Sequence, residues 1–146
     1  MTSFAKPAGW FLQALRVDGK LVLKNEGKSM NDQEPILEEK VLKDLVRDIG
    51  LANTRKFMES LDREMQSRIQ KIKDAVSIES LEELAAQAHS LKSSAQISGA
   101  YRLAVLLVRI ETTAKKGQTE AFALAKEALN TAELTRFAYL DVKLSD

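Results

Sequence analysis

His89 is the only histidine among 146 residues, and the chain has no cysteine. It stands in AHSLKSSAQISGA, residues 88–100, with Lys92 three places further on. An imidazole titrates near neutrality, so at physiological pH one ring nitrogen has a free lone pair. The chemistry within reach is nucleophilic attack or proton transfer by a single ring, with a cation one helical turn away. Other chemistries lack their parts. One histidine without cysteine cannot build the usual multi-ligand transition-metal site, so neither metal nor cofactor is expected. Neither GxxxxGK[ST] nor GxGxxG occurs, which argues against a nucleotide site and against intrinsic kinase activity. The serines near His89 have no obvious acidic partner.

The elements that must carry this histidine are helices. Both prolines, Pro7 and Pro35, precede the helical part. PILEEKVLKDLVRDIG sets Leu37, Val41, Leu42, Leu45 and Ile49 at helical spacing, with Pro35 suited to the start and Gly50 to the end. NTRKFMESLDREMQSRIQKIKDAV carries Phe57, Met58, Leu61, Met65, Ile69 and Ile72, with charges opposite. A third helix opens at Ser80, whose pairing with Glu83 fits a capping box, and its stripe is Leu81, Leu84, Ala88, Leu91 and Ala95. It should stop near Gly99. YRLAVLLVRIETTAKKG follows, with Leu103, Leu106, Leu107, Ile110 and Ala114 in line. Gly117 closes it, and Lys115 and Lys116 suit its C-terminal dipole. The fifth helix has Thr119 as its N-cap and an apolar set of Phe122, Ala125, Leu129, Ala132, Phe137 and Leu140. Short connections between long amphipathic helices force antiparallel neighbours. The expected fold is all-α: an antiparallel up-and-down four-helix bundle over residues 34–146, with an additional short helix capping one end.

Residues 1–33 form an N-terminal extension of different character. Asp18-Gly19, flanked by apolar residues in LRVDGKLVLKN, is a common hairpin turn signal. The expectation adopted is nonetheless an irregular or helical extension, since GWFLQAL suits one or two helical turns, with a short hairpin as the alternative. Trp10 and Phe11 are its candidates for packing on the main body.

At 100° per residue, His89 falls roughly 120° from the mean direction of its helix's stripe. It should therefore be at least partly exposed. Its surface neighbours are Ala85, Ala86, Lys92 and Ser93, with Gln96 one turn beyond. On composition and periodicity alone, a lone histidine on a helix is more often a solvated surface residue.

HSLKSSAQISGA closely resembles the signature of histidine-containing phosphotransfer (HPt) domains. That pattern is a histidine, any residue, an apolar residue, lysine, small residues, and a glycine ten positions after the histidine. Here these are His89, Ser90, Leu91, Lys92, Ser93, Ser94 and Gly99. The resemblance extends over residues 36–141, because the family fold is an antiparallel four-helix bundle with an extra helix. It implies that His89 is the phosphoacceptor and that Lys92 neutralises the phosphoryl group. It also implies that Ala85, Ala86, Ser93, Ser94 and Gly99 keep the surface low for a partner. Ser93 departs from the family's usual glycine, and its hydroxyl could donate to a phosphoryl oxygen. Glu111 falls where the family often has an acidic or amide residue. It would either orient the imidazole or pair with a nearby cation, and pairing is the expectation adopted.

The resemblance thus implies a phosphorelay intermediate that takes a phosphoryl group from a receiver-domain aspartate and passes it to another receiver. The partner, a response regulator or hybrid histidine kinase, would supply the metal ion and the acidic pocket. The docking surface should combine the face around His89 with apolar residues of the second helix. The alternative is a non-phosphorylated helical-bundle adaptor. Lysine plus arginine number 22 against 21 acidic residues, net charge +1, which gives no reason to expect nucleic acid or an anionic membrane as partner. No apolar run approaches the roughly 20 residues of a membrane span, and the N-terminus lacks a secretory signal. A freestanding, cytoplasmic monomer is expected.

Overall fold

The computed structural model describes residues 34–145 in full, together with the backbone of two strands before them. The strands are β1 (Gln13–Val17) and β2 (Lys20–Lys24). They pair antiparallel with Val17 opposite Lys20, on either side of Asp18-Gly19. Trp10 and Phe11 lie outside the described residues.

Five helices follow: α1 (Glu39–Ile49), α2 (Leu51–Ser77), α3 (Leu81–Ile97), α4 (Tyr101–Lys115) and α5 (Glu120–Asp141). The body is an all-helical bundle in which α2, α3, α4 and α5 close a ring: α3 packs on α2 and α4, and α5 packs on α4 and α2. The α1 helix leans on α2. The core is built from Leu42, Leu61, Met65, Ile72, Leu84, Leu91, Leu103, Leu106, Leu107 and Ile110. These residues recur at the three- and four-residue spacing that keeps one face of each helix turned inward. The α4 helix is the most enclosed, with every residue from Tyr101 to Leu107 buried. Among the described residues, no helix is long and apolar enough to cross a membrane.

Four expectations about the helices change. Pro35 does not start α1. The helix begins at Glu39, and residues 34–38 cross the connection between α3 and α4. There the Pro35 carbonyl accepts the Arg102 backbone N–H at 3.2 Å, and the Glu34 carbonyl accepts Arg102 Nε at 2.8 Å. Those carbonyls have partners outside a helix, so nothing draws the segment into one. In α5 the inward face is Ala121, Leu124, Ala125, Ala128, Ala132 and Tyr139, while Phe137 and Leu140 are exposed. Thr119 holds the N-cap position of α5, but its side chain makes no capping bond. Ile49, at the end of α1, is likewise exposed rather than core.

Gly99 lies in the connection from α3 to α4 with φ +84°, a conformation that costs a side-chain-bearing residue energy. A Cβ there would stand 2.8 Å from the Glu38 carbonyl oxygen and 3.2 Å from the Val41 Cβ. The Gly99 carbonyl in turn accepts the Glu38 N–H at 2.8 Å. Gly117, at the end of α4, also has positive φ but open space around it. Gly99→Ala should therefore cost more than about 2 kcal/mol of folding stability, against about 1 kcal/mol for Gly117→Ala. Urea denaturation of both variants measures the difference. Equal losses would mean that the close approach at Gly99 is of no consequence.

Candidate functional site

The site begins with the cap of α3. The Ser80 hydroxyl accepts the Glu83 backbone N–H at 3.1 Å, and acidic Glu82 and Glu83 follow in the first turn. Both features favour a helix starting at that point. The inward face of α3 is Leu84, Ala88, Leu91 and Ala95, as the spacing requires. His89 points away from it, and its side chain is 64% exposed.

The ring does not hang free. His89 Nδ1 lies 2.8 Å from Glu111 Oε2, on α4. The same carboxylate accepts Lys92 Nζ at 2.8 Å through Oε1 and Lys115 Nζ at 2.7 Å through Oε2. Glu111 thus does both things considered for it: it holds the imidazole and it pairs with lysines. Its side chain is only 9% exposed. Burial alone would push this carboxyl upward. The ammonium groups of Lys115 and Lys92 and the His89 ring outweigh that and hold it down at about 2. The carboxylate is therefore ionised throughout the physiological range. An anion facing Nδ1 favours the tautomer with the proton on that nitrogen, which leaves the lone pair on Nε2.

The other residues singled out from the sequence separate into two groups. Ala86 and Ser93 are exposed on the His89 side of α3, and Gln96 is half-buried beyond them. Ala85 is nearly covered, yet it lines the recess beside His89 together with Ala86, Ser90, Ala114 and Lys115. Ser94 turns toward α2, where its hydroxyl donates to Glu64 Oε1 at 2.7 Å. Gly99 is buried beyond the end of α3, against α1, and forms no part of the exposed surface. Its smallness serves packing against Glu38 and Val41. Arg68 of α2 donates to Gln87 Oε1 at 2.9 Å, so α2 flanks α3 on the side away from Glu111.

Sequence reasoning passed over Lys115, which it assigned to the helix dipole alone. Its four-residue spacing from Glu111 was a signal for the ion pair. Among the described residues, no three His, Asp or Glu side chains are grouped so as to hold a metal ion.

The site is thus an exposed imidazole on α3, the second helix of the four-helix ring, held by a carboxylate that also pairs with a lysine of the same helix. The chain matches the Hpt domain family over residues 56–137 and belongs to it. Its role is histidine phosphotransfer in two-component signalling, as a phosphorelay protein. Proteins of this family carry phosphoryl groups and are not kinases. The fold is similar to that of histidine-containing phosphotransfer protein B (HptB) from Pseudomonas aeruginosa PAO1. That match has a TM-score of 0.68 at 21% identity and covers 73% of this chain and 92% of the other. No curated protein matches the chain.

Because Glu111 titrates from an ordinary 4.5 down to about 2, it stabilises the folded state fully above pH 4.5 and loses that contribution as pH falls toward 2. Glu111→Gln should therefore be less stable than the parent at neutral pH. The two stabilities should converge as pH falls through this window. Urea midpoints at a series of pH values test it, and a difference that stays constant down to pH 2 would contradict the ion-pair account.

Proposed function

We propose that His89 is the phosphoacceptor of this Hpt domain. It takes a phosphoryl group from a receiver-domain aspartate and passes it to a second receiver. One observation carries the assignment: Glu111 occupies Nδ1 of a ring that is 64% exposed, so Nε2 is the nucleophile offered to solvent.

In the transfer, the Nε2 lone pair attacks phosphorus and the Nε2–P bond forms. The P–O bond to the aspartate breaks, and its electron pair leaves on the aspartate carboxylate. Nδ1 keeps its proton throughout. The ring gains positive charge as the new bond forms, and the Glu111 carboxylate balances it. Such a step depends on positioning and charge neutralisation more than on covalent machinery. Holding the ring on a long, packed helix supplies the positioning.

Lys92, three residues along the same helix, sits within a turn of the nucleophile and supplies positive charge to the phosphoryl oxygens. Ala85, Ala86 and Ser93 leave room around the ring for the receiver's aspartate pocket, and Gln96 borders that contact. Ser93 adds a hydroxyl that can donate to a phosphoryl oxygen. The receiver brings its own metal ion and acidic residues, so the chain itself needs no cofactor and has no kinase activity. The working unit is residues 34–146, acting as a cytoplasmic monomer on receiver domains rather than on nucleic acid.

His89→Gln should abolish labelling by a phosphorylated receiver while leaving the helical circular dichroism unchanged. Full labelling of that variant would refute the assignment. Undiminished regulation of a partner by His89→Ala, without any phosphorylation, would favour the adaptor reading instead.

A further inference from the structure

Glu111 holds two lysines, and only Lys92 belongs to the motif around His89. The other, Lys115, comes from the last turn of α4, one turn beyond Glu111. Its Nζ and His89 Nδ1 approach the same carboxylate oxygen, at 2.7 and 2.8 Å. The two nitrogens are therefore no farther apart than those two bonds laid end to end. Lys115 and His89 also line one recess of about 620 Å³, with Ala85, Ala86, Ala114 and Gly117 among its walls. That space readily admits a phosphoryl group. The Lys115 side chain is 64% exposed, so its flexible stem can turn toward a new anion.

Charge accounting gives the reason it should turn. Once Nε2 carries phosphorus, the ring bears one positive charge and the phosphoryl group close to two negative ones. Glu111 adds one negative charge. Lys92 alone leaves the group one negative charge in excess. A second cation brings it to neutrality, and Lys115 is the one already held beside the ring.

We propose that Lys115 is the second cation of the phosphoryl site, resting on the assignment of His89 as acceptor. When the Nε2–P bond forms and the donor's bond to phosphorus breaks, the Lys115 ammonium turns from Glu111 to the phosphoryl oxygens. Glu111 then keeps His89 Nδ1–H. Before transfer, the carboxylate holds Lys115 in readiness. The residue thus has a part in phosphate recognition beyond ending α4.

The test uses the full chain and phosphoramidate, a small donor that needs no docking surface. The donor's P–N bond breaks and ammonia leaves. Phosphohistidine is then followed by phosphorus NMR as pH is varied. Lys115→Met should raise the titration midpoint of the phosphoryl group by about 0.5 to 1 pH unit, because a cation that favours its dianion is gone. It should also slow labelling several-fold. Lys115→Arg should restore both. Lys116→Met removes the adjacent lysine at the same helix end and should leave both at the parent's values. If Lys115→Met and Lys116→Met give the same curve, Lys115 acts only on the helix end and the proposal is overturned. Labelling that survives in His89→Gln overturns the acceptor assignment, and this proposal with it.

Discussion

Three residues, Ser98 to Ala100, turn the chain from α3 into α4, and that short connection decides which side chains face each other across the pair. So short a link leaves the two helices no choice but to run antiparallel and in contact. His89 lies ten residues before Gly99 and Glu111 twelve after it. Each residue of helix advances about 1.5 Å, so the two stand at nearly the same height along the pair. Lys92 is one turn nearer the connection and reaches the other oxygen of the same carboxylate. The glycine of the motif thus acts on the site from a distance. Its positive φ and its contact with Glu38 permit the connection that sets the register.

Glu111 turns that register into a site. A nearly buried carboxylate is costly unless its oxygens are paired, and here three donors from two helices pair them. The same bonds do two things at once. They let an anion sit at the α3–α4 seam, and they fix the imidazole's rotation and tautomer. Removing the charge would therefore disturb the fold and the chemistry together. The lysines differ from the carboxylate in this respect, since each has solvent on one side and can exchange partners without unfolding anything.

The helices and the outward direction of His89 were legible because α3 has a single inward stripe. Leu84, Ala88, Leu91 and Ala95 repeat at helical spacing, and a residue off that stripe has only one place to go. The α5 helix was misread because its apolar residues lie on more than one face. Its buried side is mostly alanine and threonine, while Phe137 and Leu140, larger and more hydrophobic, are outside. Close helix packing selects small side chains at the seam, so size and hydrophobicity pointed the wrong way. Gly99 was legible as a motif position but not as a packing position, because its reason is the carbonyl of Glu38, sixty-one residues earlier in the chain. The dual role of Glu111 was undecidable for a similar reason. Local spacing reveals a partner at Lys115, but whether His89 also reaches it depends on the register between two helices.

A carrier has to hold its phosphoryl group without trapping it, and the placement of the cations bears on that requirement. A cation enclosed with the phosphoryl group in a dry cavity would bind it strongly, because attraction grows as the local dielectric falls. Here the side chains of Lys92 and Lys115 are 25% and 64% exposed, so water and salt weaken their pull on anything bound at Nε2. Glu111, which is 9% exposed, lies behind the ring and acts on Nδ1. On the proposed assignment, the strong, buried interaction orients the nucleophile, and the weak, solvated ones are left to meet the phosphoryl group. Such an arrangement favours capture by geometry and leaves release to a second receiver inexpensive.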